Sequence, residues 1–239
     1  MFTVRYDITV LTSITGGKDN LRDDQCVGGA KFIAYVTQPR GSQIWEEKSA
    51  YDRFRSDRRN SRAPKILSHK FCSTEYSVWL DGNIALCVDP KQLVGEWLKD
   101  YDLAVFKHPD RDCVYDEARV CIEAGLDDHT VISAQIDKYA ADNFARNQGL
   151  AECNVMVRRH TPKVIEFNNI WWGEYCVHSV RDQLSFMYAA NKAGLRINWI
   201  VPTARTGNPY FKGAAHLTPQ PEPQLVGANP VIDDSKTGH

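Results

Sequence analysis

Short apolar segments alternate with helical patterns along the chain, and this alternation limits the available folds more than any other feature. The apolar segments are rich in β-branched and aromatic residues, which favours strands. Predicted strands lie at 7–12, 31–37, 76–80, 84–88, 102–106, 154–158 and 195–200, and predicted helices at 89–99, 114–124, 128–145, 162–177 and 181–193. Strands interleaved with helices predict an α/β sandwich with a mainly parallel central sheet and a helix-rich C-terminal half.

Two segments fall outside this pattern. Residues 40–62 are polar, basic and aromatic without a clean period, which is typical of a functional loop. Residues 218–239 are rich in Pro and Gly and cannot bury enough apolar surface to offset the entropy of ordering, so we predict a flexible tail. The 239 residues are then expected to form one catalytic domain over 1–217, followed by that tail.

The charge balance argues against a nucleic-acid partner. The formal net charge is −1, whereas phosphate neutralisation usually requires a strong basic excess. A local excess lies between Arg53 and Lys70 and comprises Arg53, Arg55, Arg58, Arg59, Arg62, Lys65 and Lys70. A patch of this size suits one small anionic ligand better than a duplex.

Cysteine usage and hydropathy give expectations about location. The seven cysteines are scattered, without a C-x-x-C pair or the spacing of a zinc site, so we expect mostly reduced, buried thiols in a cytoplasmic protein. No apolar run approaches the roughly 20 residues that a membrane span requires. We therefore predict a soluble protein without a membrane span.

The segment Asp81-Gly82-Asn83, which follows the apolar strand 76–80, is the most informative for chemistry. Side chains at positions i and i+2 of an extended backbone point the same way, so the Asp81 carboxylate and the Asn83 amide can converge. Few protein oxygens, completed by water and a diphosphate, suit a hard divalent cation. A plain hairpin turn explains the same residues, because Asp-Gly and Gly-Asn are common turn dipeptides.

A basic stretch from Arg58 to Lys65 precedes that strand. Arg62 and Lys65 could hold a diphosphate, because guanidinium groups match phosphate oxygens and an ammonium supplies a point charge. The alternative is a solvated basic helix face.

A loop at residues 15–19 follows the first strand, where open α/β sheets place their ligands. Thr15 and Gly16 could lie against a nucleotide, since glycine permits close backbone approach, and Asp19 could bind its ribose or base. The loop matches neither the G-x-G-x-x-G motif nor the P-loop, the two glycine-rich motifs that bind phosphates.

Two further residues are candidates for the site. Asp182 opens a predicted helix and could act as a base or orient an acceptor hydroxyl, although it could equally be a partner for the helix dipole. His216, in a late loop of small residues, could reach a metal ion. The neighbouring pair Trp171 and Trp172 is interpreted as core, with one ring as a candidate for stacking on a sugar.

In order and spacing, several of these segments together resemble a family of glycosyltransferase-like domains known from bacteria and from plant Golgi proteins. The likeness covers about residues 5–200. The matching segments are Thr15-Gly16-Gly17-Lys18-Asp19-Asn20-Leu21, Arg62 to His69, Trp79 to Asn83, Lys107 to Pro109, Arg111 to Ala118, Gly149-Leu150 before Asn154 to Arg158, and Trp172 leading to Arg181 to Phe186.

The resemblance implies a glycosyltransferase-A fold, a UDP- or GDP-sugar donor and Mn²⁺ or Mg²⁺ at Asp81-Gly82-Asn83. Asn83 stands where the wider superfamily has a second Asp. The function implied is transfer of a sugar to a glycan or other hydroxyl acceptor, with Asp182 as the catalytic residue. Donor-binding residues would be Thr15, Gly16, Asp19, Arg62, Lys65 and Asp81, and metal ligands Asp81, Asn83 and His216. The alternatives are a nucleotidyltransferase acting on sugar phosphates and a non-catalytic sugar- or nucleotide-binding module.

Overall fold

The computed structural model describes residues 7–204 and 207–217. The strands are β1 (Ile8–Ile14), β2 (Lys31–Val36), β3 (Glu46–Ser49), β4 (Tyr76–Leu80), β5 (Ile84–Leu86), β6 (Leu103–Lys107), β7 (Ala151–Arg159), β8 (Ile197–Ile200) and β9 (Phe211–Gly213). The helices are α1 (Asp57–Ile66), α2 (Ser68–Phe71), α3 (Pro90–Trp97), α4 (Val114–Glu123), α5 (His129–Ala141), α6 (Pro162–Val177) and α7 (Asp182–Lys192). The predicted tail at 218–239 lies outside the described residues, so the domain boundary at 217 stays a prediction.

The main sheet has seven strands in the order β3-β2-β1-β4-β7-β6-β8. β1 is parallel to β2 and β4, β2 is parallel to β3, and β6 is parallel to β8. β7 runs antiparallel to both of its neighbours, β4 and β6. The predicted α/β sandwich with a mainly parallel sheet is therefore confirmed.

The sheet is buried on both faces, so successive residues of the central strands β1 and β4 are buried instead of alternating with exposed ones. Alternate residues enter two different cores: Leu11 and Trp79 belong to one, Val10 and Val78 to the other. Residues of α1 and α4 to α7 join the first core. The second is covered by α3, β9 and the loop that carries Trp45.

The prediction of a functional loop over 40–62 is wrong in part. It missed β3, whose sequence Glu-Glu-Lys-Ser is mostly exposed at the edge of the sheet, because charged edge strands lack apolar alternation. It also missed the beginning of α1, where the Ser56 side chain accepts a hydrogen bond from Arg59 N. The helix was not predicted because its sequence is mostly polar and contains Pro64, which disfavours a helix interior. The short elements α2 and β9 were not predicted either.

The structure bears on the predictions of free cysteines and of no membrane span. All seven cysteines are free, and Cys113, Cys121 and Cys153 are buried. Among the helices of the described residues, none is long and apolar enough to cross a membrane. The cytoplasmic location stays a prediction.

A fully buried arginine fixes the C-terminal end of α1. Arg158 of β7 donates hydrogen bonds from its guanidinium to the carbonyls of Lys65 and Ile66 and to the Asn168 side chain. Burial lowers the pKa of Arg158 to about 10. The carbonyls in the last turn of a helix lack intrahelical partners, and Arg158 supplies donors for two of them. Its positive charge also interacts favourably with the negative end of the helix dipole.

Replacement of Arg158 by Met should therefore destabilise the protein, because the carbonyls that end α1 would be buried without donors. We expect the free energy of unfolding to fall by about 1–3 kcal/mol. Arg119→Met, at a side chain that is 65% exposed, is the matched control and should stay within about 0.5 kcal/mol of wild type. Urea denaturation measures both. Equal stability of the two variants would show that Arg158 does not anchor the helix.

Candidate active site

A polar cavity of about 540 Å³ lies where the carboxyl end of β4 meets the amino end of β7. Its charged lining consists of the cations Lys18, Arg58, Arg62, Lys65 and Arg181 and the carboxylates Asp81, Glu152 and Asp182. The amide side chains of Asn83, Asn154 and Gln183 and the His216 ring also line it. The formal excess of two positive charges suits a dianionic ligand such as a diphosphate.

The ammonium of Lys65 connects the two predicted functional carboxylates. Its Nζ lies 2.7 Å from Asp182 Oδ2 and 3.2 Å from Asp81 Oδ1. The Lys65 side chain is only 2% exposed. Trp79 Nε1 donates a second hydrogen bond to Asp81 Oδ1 at 2.8 Å. Lys65 and Trp79 therefore fix the orientation of the Asp81 carboxylate.

Arg62 completes a buried cluster with Lys65 and Asp182. Arg62 Nε lies 3.2 Å from Asp182 Oδ2. Burial alone would raise the pKa of the Asp182 carboxyl, but Lys65 and Arg62 outweigh it and hold that pKa well below its usual range. Burial alone would lower the pKa of Arg62, but the carboxylates of Asp182 and Asp81 outweigh it and raise that pKa. Arg62 and Asp182 are therefore both charged at neutral pH.

Three elements supply these side chains. Arg62 and Lys65 are three residues apart on α1, which places them on the same face of the helix. Asp182 is the first residue of α7, where the helix dipole favours a negative charge. Its carbonyl accepts a hydrogen bond from Trp171 Nε1 at 3.0 Å. Trp171 is fully buried in the first core, which confirms that part of the prediction. Asp81 follows the last residue of β4.

The loop after β1 contributes differently from what the sequence suggested. Thr15 Oγ1 donates to the Asp57 carbonyl at 2.8 Å, and a Cβ added to Gly16 would lie 2.9 Å from the Asp57 carboxylate. Neither Thr15 nor Gly16 is among the residues that line the cavity, whereas Lys18 is. Burial, followed by the charges of Arg62 and Arg58, lowers the pKa of Lys18. The positive charges of Arg62 and Arg58 near Lys18 would favour an anion in this part of the cavity.

The other predicted metal ligands also line the cavity, but each has a partner. Asn83 donates from Nδ2 to the Ala214 carbonyl at 2.8 Å, which leaves its amide oxygen as the possible ligand atom. His216 Nδ1 lies 2.7 Å from Asp19 Oδ1, so Nε2 is the ring nitrogen that remains. Asp19 is thus placed beside the cavity through His216 rather than in its lining.

The donor set has limits as a metal site. Within residues 7–204 and 207–217 there is no group of three or more His, Cys, Asp or Glu side chains that could hold a metal ion. Asp81 and Asn83 nevertheless line one cavity, and carboxylate and amide oxygens suit Mg²⁺ and Mn²⁺. The residues fit a cation that would take its remaining oxygens from a diphosphate and water.

Several residues that line the cavity were absent from the predicted site, namely Lys18, Arg58, Glu152, Asn154, Arg181 and Gln183. Glu152 and Asn154 carried a usable signal. They are polar residues two positions apart in the mostly buried strand β7, and polar side chains in a buried strand are uncommon unless they have a role.

Comparison with known proteins adds a family. The model of the family described as TOD1/MUCI70, glycosyltransferase-like domain, matches residues 47–203. The probable hexosyltransferase MUCI70 of Arabidopsis thaliana is 32% identical over 176 residues, which are 66% of this chain and 29% of that protein. The chain thus spans less than a third of the length of this relative.

Solved glycosyltransferase structures are similar only at a distance. Mouse xyloside xylosyltransferase 1 is 9% identical with a TM-score of 0.43, covering 82% of this chain and 85% of that one. The galactosyltransferase LgtC, solved with donor and acceptor sugar analogues, is 10% identical with a TM-score of 0.43, covering 80% and 72%.

The buried cluster generates a stability prediction. Lys65→Met should lower the free energy of unfolding by about 3 kcal/mol, the lower end of the cost of breaking a buried ion pair, because Arg62 still faces Asp182. Adding Asp182→Asn should restore part of the loss, since it removes the under-compensated charge. Lys70→Met, at an exposed site, is the control. Chemical denaturation in which Lys65→Met and Lys70→Met unfold alike would contradict this account of the cluster.

Proposed function

The chain belongs to the TOD1/MUCI70 family of glycosyltransferase-like domains, and we propose that it is a hexosyltransferase. It would transfer a hexosyl group from a nucleoside-diphosphate sugar to a hydroxyl acceptor with the help of a divalent cation. The observation that carries the proposal is the cation-rich cavity around Lys65, Asp81 and Asp182. UDP- and GDP-sugars are the proposed donors, and a glycan or another hydroxyl compound is the proposed acceptor.

The cavity's charge supports diphosphate binding. Arg62 and Lys65 both contact Asp182, and both can also donate hydrogen bonds to phosphate oxygens. A bound diphosphate would share these donors with Asp182. As the sugar leaves, negative charge builds up on the diphosphate, and fixed cations stabilise that charge without having to reorganise.

The cation proposal centres on Asp81. We propose that the Asp81 carboxylate would hold Mn²⁺ or Mg²⁺, with the Asn83 amide oxygen and His216 as further candidate ligands. When bound, the cation would supply Lewis-acid stabilisation of the leaving group. Lys65 Nζ lies 3.2 Å from Asp81 Oδ1 and orients the carboxylate for this role. The nearby Asp19 holds the His216 ring from its Nδ1 side.

The low pKa of Asp182 favours one of the two roles proposed for its carboxylate. A carboxylate whose pKa lies well below its usual range, as the pKa of Asp182 does, is a weak proton acceptor at neutral pH. Of the two roles considered from the sequence, we therefore favour orientation over general-base catalysis. Asp182 would position Arg62 and Lys65 and meet the positive charge that develops at the anomeric carbon in the transition state.

Asp81→Asn should abolish the cation-dependent part of nucleoside-diphosphate binding, because it removes the charge that a cation requires while keeping an acceptor for Trp79 Nε1. Calorimetry with UDP and GDP, each with and without Mn²⁺, measures this. Asp137→Ala, at an exposed position of α5, is the control and should bind like wild type. Equal Mn²⁺ dependence in wild type and Asp81→Asn would return residues 81–83 to the status of a plain turn.

Asp182→Asn separates an enzyme from a binding module. The exchange removes a negative charge from the cavity, so nucleoside diphosphates should bind at least as tightly as to wild type. Turnover should nevertheless be lost, because the carboxylate acts mainly in the transition state. Release of nucleoside diphosphate from UDP- and GDP-hexoses, with and without added acceptors, gives the rate.

Two outcomes of that experiment would contradict the proposal. If wild type binds donors yet never turns over, the chain is a binding module. If Asp182→Asn turns over normally, the functional carboxylate is another residue.

A further inference from the structure

We infer that Glu152 and Asn154, called here the β7 wall, bind the hydroxyl groups of the donor's hexosyl moiety and so select the sugar. Both side chains line the cavity beside Asp81, and neither has a part in the diphosphate and cation chemistry above. The inference rests on the proposed function, since it names the ligand group that occupies a second side of the same cavity.

An irregularity in β7 creates this wall. On β6, Val105 faces Met156, but the next residue, Phe106, faces Glu152. Three residues of β7, numbers 153–155, thus lie between the partners of two consecutive residues of β6, and this is a β-bulge. Bulges of this kind bend a strand and change the direction of its side chains, and they are frequent next to active sites.

The wall is fixed to the site on both sides. The Asn154 carbonyl accepts a hydrogen bond from Asp81 N at 2.9 Å, which ties the bulge to the end of β4. At the start of β7, Gln183 Nε2 donates to the Ala151 carbonyl at 2.8 Å, which ties it to α7. β7 is therefore held between the elements that carry Asp81 and Asp182, and binding needs little ordering of the wall.

The two side chains present buried polar atoms. Asn154 Oδ1 is inaccessible to solvent and accepts no hydrogen bond from the part of the chain that the structure describes. Glu152 is 1% exposed, and its Oε2 accepts a hydrogen bond from Thr203 Oγ1 at 2.6 Å. A buried amide oxygen without a donor is costly, and a ligand that supplies one recovers that cost.

Their chemistry matches a sugar rather than a phosphate. A carboxylate accepts hydrogen bonds from hydroxyl groups, and an amide both accepts and donates them, so the pair can bind neighbouring hydroxyls of a hexose ring. A phosphate, in contrast, would be repelled by the Glu152 carboxylate. A site with buried polar groups also discriminates strongly, because a ligand that lacks the matching hydroxyl leaves those groups unpaired.

The experiment compares nucleoside diphosphates with their sugars. Wild type, Asn154→Ala and Glu152→Gln are titrated by calorimetry, in the presence of Mn²⁺, with UDP, GDP, UDP-glucose, UDP-galactose and GDP-mannose. For the best donor of wild type, Asn154→Ala should weaken binding of the nucleotide sugar by up to about tenfold, the upper range for one neutral hydrogen bond. Binding of the matching nucleoside diphosphate should stay within about twofold, because the wall does not touch the diphosphate.

Two controls keep the comparison interpretable. Asn169→Ala, at an exposed position of α6, should bind every ligand like wild type. Glu152→Gln keeps the shape of the side chain, so a selective loss in this variant supports the wall even if Asn154→Ala unfolds. Thermal unfolding of each variant reports on the fold.

Each remaining result would overturn the inference. If both variants lose nucleoside diphosphate and nucleotide sugar in parallel, or lose neither, the wall does not bind the donor sugar. An effect confined to the KM for an acceptor would assign these residues to the acceptor instead. If wild type binds no nucleoside diphosphate at all, the proposed function itself fails, which the UDP and GDP titrations of wild type show independently of the variants.

Discussion

The ammonium of Lys65, buried between Asp81 and Asp182, is the interaction on which the site depends. Burying one charge is expensive unless it is paired with good geometry. Here Lys65 is shared by two carboxylates, and Arg62 adds a second cation to Asp182. Because these charges satisfy one another, the protein can keep a set of ionised groups inside an α/β core, ready for a charged ligand.

Positioning Lys65 requires three separate parts of the fold to meet. Arg158 holds the end of α1 from β7, Trp171 of α6 binds the carbonyl of Asp182 at the start of α7, and β4 delivers Asp81 through its pairing with β7. All three contacts hold main-chain atoms: Arg158 and Trp171 donate to carbonyls at helix ends, and strand pairing fixes the backbone before Asp81. The geometry of the charged cluster therefore follows from the packing of helices on one face of the sheet.

Much of this could be predicted from the sequence where local signals were strong. The buried strand before Asp81, the proline at the start of α3 and the family motifs gave the fold class and brought Asp81, Lys65 and Asp182 into one site. The polar helix α1 was partly missed because its burial depends on tertiary contacts to α6 and β1. Glu152 was missed because the predicted strand began at residue 154, so this polar residue was not recognised as part of a buried strand. The bulge beside it depends on pairing with a distant strand.

The central claim is that a diphosphate binds at the cationic cluster beside Asp81. A crystal structure of the protein with UDP or GDP and Mn²⁺ tests it most directly. We expect phosphate oxygens within hydrogen-bonding distance of Arg62 or Lys65, and Mn²⁺ between the diphosphate and the Asp81 carboxylate. A diphosphate bound elsewhere, with the contacts of Lys65 to Asp81 and Asp182 unchanged and no cation at Asp81, would contradict the account.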